Sequence, residues 1–294
     1  MRRGAGAGRG GFTLIELMIA LVVGAIVLGS IYRVLQNNQR FYRSESQVLD
    51  VEQGMRAVAQ LLPSELREVD ARAGDILAMG PDSITLRALR NTFFICATPA
   101  LNPGKIVVRK DLTFGYRAVD PTRDRALVFR DGNPDRAADD TWQDYGITNY
   151  QAGVGACTDG SGTGSTLNLS GTFSGMTALD SNFTVGSPVR TYEVVTYRLY
   201  VDTAGVGWLG VEKYVSGAWT AVQPIAGPLK AAGGIAFTYY DSSGAVTAVP
   251  TSVARVQLTV RGMSEVPIMI PGRAANLQKY QDSITVRAAV RNNS

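Results

Sequence analysis

From Phe12 to Tyr32 the chain reads FTLIELMIALVVGAIVLGSIY, twenty-one positions in which Glu16 is the single charged residue. A run of that length reaches the about 20 residues a helix needs to cross a bilayer. A cleavable secretory signal has a shorter apolar core, about 7 to 15 residues, followed by a small-x-small cut site. The run therefore predicts a membrane-spanning helix over 12–32. Beyond it the pattern changes character. Phe41, Val48, Val51, Met55, Val58, Leu62 and Leu66 recur at spacings of seven, three and four, with Glu45, Asp50, Glu52 and Arg56 among the positions between them. That is the signature of an amphipathic helix. No proline interrupts 12–62, so the two patterns join into one helix of about fifty residues, about 75 Å long. Pro63 is expected to end or kink it, with 65–69 adding a further turn.

The rest of the chain reads as β. Short alternating segments occur at Ser83–Leu89, Ala126–Arg130, Tyr192–Val201, Trp208–Val215, Gly234–Tyr240, Val253–Arg261 and Asp282–Val290, and Asp241-Ser-Ser-Gly244 marks a hairpin turn. Residues 153–186 are rich in Gly, Ser and Thr and predict a surface loop or a marginal hairpin insertion. The simplest arrangement is α+β, an antiparallel sheet packed on the apolar stripe of the long helix. The implied organisation is a leader over 1–11, the apolar helix over 12–32, its amphipathic continuation over 33–69 and a β-rich domain over 70–294.

Charge changes the picture in one respect. The formal net charge is 29 − 25 = +4, but Arg2, Arg3 and Arg9 lie ahead of the apolar run, so the chain from Phe12 onward carries 26 − 25 = +1. A nearly neutral body weakens any general case for phosphate binding. The three arginines mark their end as cytoplasmic, although Arg33, Arg40 and Arg43 on the far side blunt that asymmetry. The chain has no histidine, which removes His-based triads and the commonest zinc ligand, and no nucleophile motif suggests an enzyme. Cys96 and Cys157 can stay as buried thiols or, in an extracytoplasmic body, pair. Closing a loop of roughly 60 residues would stabilise by about 4 kcal/mol in the chain-entropy model.

A carboxylate inside the bilayer costs about 2.5 to 3.5 kcal/mol on insertion scales, so Glu16 requires a partner. Gly11-Phe12-Thr13-Leu14-Ile15-Glu16, after a short basic leader and directly before the apolar run, resembles the processing site of type IV prepilins and pseudopilins. The resemblance implies cleavage between Gly11 and Phe12 by a membrane-embedded prepilin peptidase and methylation of the new Phe12 amino terminus. It also implies that Glu16 meets the amino terminus of a neighbouring pilin, setting axial register during assembly. The Phe12 ammonium itself lies at i−4 to Glu16, one helical turn away. Ala20 with Gly24 and Ala25 with Gly29 are small-xxx-small pairs that permit close helix packing in lipid.

The C-terminal half, with VVTYRLYV, PIAGPLKAAGGIAFTYYDSSG and a closing SITVRAAVRN, resembles the minor pilin PilW and the type II secretion pseudopilin J. Many major pilins have a proline about twenty-two residues into the mature helix, where this chain has Arg33, which favours a minor subunit. The resemblance thus implies a structural subunit that initiates or caps a type IV pilus or secretion pseudopilus. It would be single-pass in the bacterial inner membrane, with its leader cytoplasmic and its body periplasmic. The alternative is a ligand-binding subunit at a filament tip, for DNA uptake or adhesion.

Two weaker constellations complete the reading. Asp131, Asn133, Asp135 and Asp139 have EF-hand spacing, but Arg136 replaces the required glycine and Trp142 the closing glutamate, so no metal site and no cofactor is expected. Arg87, Arg90, Arg109 and Lys110, with Phe93 and Phe94 nearby, would form a basic strip for DNA; the wet face of a sheet is the commoner origin of such a pattern. Trp208, Trp219, Tyr239 and Tyr240 read as core or sheet-face aromatics.

Overall fold

The computed structural model describes residues 13–100, 104–115, 117–133, 135–172, 182–269 and 277–291. Helix α1 (Leu14–Glu68) comes first. The strands that follow are β1 (Ile76–Met79), β2 (Ser83–Phe94), β3 (Lys105–Arg109), β4 (Phe114–Gly115), β5 (Asp124–Arg130), β6 (Thr141–Ala156) and β7 (Thr163–Thr172). Then come β8 (Pro188–Val201), β9 (Gly207–Val215), β10 (Ala218–Trp219), β11 (Gln223–Leu229), β12 (Ile235–Tyr240), β13 (Arg255–Met263) and β14 (Gln281–Ala289). The architecture is α+β, a long N-terminal helix packed on a large antiparallel sheet.

Two compact units are distinguished. One comprises Met1–Leu49 and Ser264–Tyr280. There Gln47 Oε1 accepts a hydrogen bond from the Glu265 backbone N–H at 3.1 Å, while Ile268 and Gln278 pair in an antiparallel bridge. Phe41 is 56% exposed, so it does not belong to a buried stripe.

The other unit comprises Asp50–Met263 and Gln281–Ser294. Its part of α1 buries Val51, Gly54, Met55, Val58, Leu62, Pro63 and Leu66, the stripe the periodicity predicts. Pro63 does not end the helix, which continues to Glu68. Proline removes one backbone donor, but Leu62, Pro63 and Leu66 are all buried, and their packing holds the last turn against that loss. Close approach to the sheet depends on glycine. A Cβ at Gly262 would come within 2.5 Å of Val51 Cγ1, and the Gly262 N–H points at Met55 Sδ at 3.1 Å.

Strand β8 organises the sheet. β2 pairs along one side of it, and β5 and β9 share the other. From β9 the sheet continues through β11 to β13, which carries β12 and β14. From β5 it continues through β6 and β7 to β3. Ile95, just past β2, then bridges Val108 of β3, so this wing curls back on β2. Phe93, Ile106, Val108, Val128, Ile147 and Leu167 fill the enclosed space as a hydrophobic cluster. The Gly-, Ser- and Thr-rich stretch accordingly does more than loop over a surface: it supplies β7, whose Leu167 is fully buried. Its glycines make that possible, since a Cβ at Gly164 would come within 2.4 Å of the Val108 carbonyl oxygen.

Candidate functional site

Gly11 and Phe12 lie outside the described residues, which begin one position later at Thr13. Thr13 is the residue ahead of the first helical turn, and it engages Glu16 in both directions. The Thr13 backbone N–H donates to Glu16 Oε2 at 2.9 Å and its hydroxyl donates to the same oxygen at 3.0 Å. The Glu16 N–H donates to Thr13 Oγ1 at 3.3 Å. This is a capping box: two backbone donors that the helix start leaves unpaired are satisfied reciprocally. Glu16 is therefore held at the N-terminal end of α1, where its charge also complements the helix dipole. The sequence spells this arrangement as Thr13-x-x-Glu16, a signal that the prepilin-like reading of Glu16 passed over.

Behind the cap, α1 is long and apolar enough to cross a membrane. Its apolar side chains face outward, Leu14 at 78%, Leu21 at 66% and Leu28 at 68% exposure. Gly24 and Gly29 also face open space, a Cβ at either meeting nothing within 4 Å. The helix passes Arg33 without interruption.

Residues 7–32 match the family model of the prokaryotic N-terminal methylation motif. The chain carries a type IV pilin-type prepilin signal. Comparison with curated proteins and with solved structures finds no match. The match takes in the last five residues of the expected leader, the Gly11–Phe12 junction, Thr13 and Glu16, and the apolar run to Tyr32. It indicates a prepilin-processed, pilin- or pseudopilin-like protein, with processing by prepilin peptidase and assembly with other pilins as what the motif implies.

In the body behind the prepilin signal, Cys96 and Cys157 form a disulfide, with Sγ atoms 2.03 Å apart. Cys96 follows β2 and Cys157 follows β6, so the bond ties the β6–β7 turn to the place where the sheet curls back. The Thr158 N–H donates to the Cys96 carbonyl at 2.8 Å alongside it. Asp159 lies close to both sulfurs, but disulfide sulfurs are not thiolate ligands.

The arginines of the expected basic strip are not brought together as free cations. Arg87 faces Asp144 at 3.9 Å and stands over the Tyr192 ring. Arg90 is 5% exposed; its Nε donates to Glu193 Oε1 at 2.6 Å and its Nη1 to both oxygens of Glu65 at 3.1 Å. Arg109 binds Asp111 at 2.7 Å, an exposed pair. Phe93 is buried in the hydrophobic cluster enclosed by the curled wing. The strip was legible as charge, but the carboxylates that neutralise Arg87 and Arg90 come from distant strands and from α1, while that of Arg109 lies two residues along the chain.

Arg90 belongs to a larger network that periodicity did not reveal. Glu193, 3% exposed, also faces Arg117 Nη2 at 3.4 Å and Arg123 Nε at 3.8 Å, and Arg117 in turn binds the buried carboxylate of Asp124 through both Nη atoms. Nearby, burial pushes the Asp75 carboxyl above its ordinary range, against the pull of the Asp70 N–H it accepts and of Arg87. The EF-hand-like segment forms a turn instead, Asn133 Oδ1 accepting from the Asp135 N–H at 3.1 Å. Trp208 donates its indole N–H to Asp202 Oδ2 at 2.9 Å, and Tyr239 is buried with its hydroxyl donating toward the Gly80 and Ser83 carbonyls. Trp219 is 46% exposed, edge-on to Tyr214, and Tyr240 lies on the sheet face beneath Arg255.

Proposed function

We infer that the chain is a non-enzymatic structural subunit, a minor pilin or pseudopilin of the PilW or pseudopilin J kind that helps to initiate or cap a type IV pilus or type II secretion pseudopilus. The observation that carries this is the prepilin signal followed at once by an outward-facing apolar helix with Glu16 fixed in its first turn. Prepilin peptidase cleaves between Gly11 and Phe12 and Phe12 is methylated. The helix then anchors the body on the periplasmic side of the inner membrane before it enters the filament. The Cys96–Cys157 disulfide supports an extracytoplasmic body, because such bonds persist in oxidising compartments.

Within the filament, Glu16 engages the amino terminus of a neighbouring subunit, at which point its carboxylate leaves the Thr13 cap. Gly24 and Gly29, without intrachain neighbours, let adjacent helices approach closely. The test is Glu16→Ala: the variant is expected to be processed and membrane-inserted but to be depleted from isolated filaments. Undiminished incorporation would refute the register role.

A further inference from the structure

The body's near-neutral charge is unevenly spread. Along β12, β13 and β14, residues alternate between the buried Phe237, Leu258 and Val260 and an opposite, outward face. That outward face carries Arg255, Arg261 and Arg287 and no Asp or Glu; Asp282, the one acid in the three strands, pairs with Gly262 and so lies on the opposite face. Each guanidinium is steadied by a neutral partner. Arg261 Nη1 donates to the Gly233 carbonyl at 2.7 Å, Arg287 Nε donates to Gln257 Oε1 at 2.8 Å, and Arg255 lies over the Tyr240 ring at 5.1 Å. None of the three forms an ion pair with a described residue, and Arg255 Nε is buried without an acceptor among them. Their positions are thus fixed while their charge is left uncompensated.

Register sets the spacing. Gln257 pairs with Arg287, so Arg255 and Arg287 are diagonal neighbours, about 7 to 8 Å apart at the backbone. Arg261 lies six residues along β13 from Arg255, about 20 Å away. Between them, Thr259 and Thr285 face each other with hydroxyls 3.1 Å apart. The face is therefore cationic at both ends and hydroxyl-lined at its centre.

We propose that this outward face of β12–β14 is a sequence-independent docking surface for the phosphodiester backbone of nucleic acid. Charge complementarity selects the occupant: duplex DNA presents an unbroken row of anionic oxygens over the length of the face, which arginine and threonine bind without reading bases. The surface is distinct from the Arg87–Arg90–Arg109 strip, whose charge is internally paired, and it does not depend on processing or on a filament role.

The test is fluorescence anisotropy of the full chain in non-ionic detergent with two labelled 20-base-pair duplexes of unrelated sequence. Three contacts give a slope of log affinity against log salt of about −2.7, so affinity falls about 40-fold from 50 to 200 mM salt. R255Q, R261Q and R287Q are each expected to flatten that slope by about 0.9, while R72Q, an exposed arginine elsewhere, leaves it unchanged. Absence of binding at 50 mM salt, or the same slope in all four variants, would overturn the proposal. So would vesicles containing phosphatidylglycerol, or polyglutamate, binding the same arginines more tightly than the duplex, which would make the face a lipid or an acidic-protein surface.

Discussion

Gly54 of α1 faces Gly227 of β11 so closely that a Cβ on Gly54 would come within 2.2 Å of the Gly227 carbonyl oxygen. The atom it would meet is backbone on a paired strand, which cannot rotate away. A helix-interior glycine ordinarily costs about 1 kcal/mol relative to alanine, so Gly54→Ala would stabilise an isolated helix. In this body the clash outweighs that gain. The variant is expected to lose about 1 to 3 kcal/mol in urea unfolding, and a gain in stability would show that helix and sheet are not in contact at this point.

Glu193 is the shared acceptor of a buried cluster, and its loss takes from the nearly enclosed Arg90 the partner of its Nε. Glu193→Leu is expected to destabilise by about 3 to 5 kcal/mol, because removing one partner from a buried ionic cluster costs more than the pair contributes. Adding Arg90→Met should recover much of that loss. A double variant no better than the single one would mean that the two side chains act independently.

Replacing both cysteines with alanine opens the loop between Cys96 and Cys157, 61 residues apart in sequence. The expected loss is about 4 kcal/mol, and it should be concentrated in hydrogen-exchange protection of β3 and β7, the strands beside the bond. Uniform loss of protection across β12 and β13 as well would mean that the curled wing and the β12–β14 part of the sheet unfold as one.

Asp75 gives a pH signature of definite sign. Burial raises its carboxyl pKa, so the folded chain holds that proton more tightly than the unfolded chain does. The associated stability is present below the unfolded pKa and is lost as pH rises through the folded one. Asp75→Asn keeps an oxygen for the Asp70 N–H, which now binds Asp75 Oδ2 at 2.9 Å, and removes the charge. The variant is expected to melt above the wild type at neutral pH and level with it in acid. A wild-type advantage at neutral pH would show that Arg87 and Arg190 more than offset the burial.

The elements readable from sequence were those whose pattern is local. The stripe from Val51 to Leu66 follows a single helix period, and all seven alternating segments became strands. β6 escaped, and β7 was readable only as a loop or marginal hairpin, because glycines and bulges interrupt their alternation, the pairing shifting between Ile147 and Asn149 and again between Gln151 and Gly155. β11 escaped because Pro224, Gly227 and Pro228 read as breakers. The prepilin signal was legible because Gly11 to Glu16 are contiguous. The Arg90 cluster was not, since Glu65, Arg90 and Glu193 meet only after the sheet has formed, and the outward arginines of β13 and β14 gain meaning only once their strands pair.

Mass spectrometry of the N-terminal peptide, from chain isolated out of membranes that contain a prepilin peptidase, tests the central claim most directly. The account predicts a chain that begins at Phe12 and bears one methyl group on its amino nitrogen. A chain that retains Met1 through Gly11, or one cut at any other bond, would contradict it.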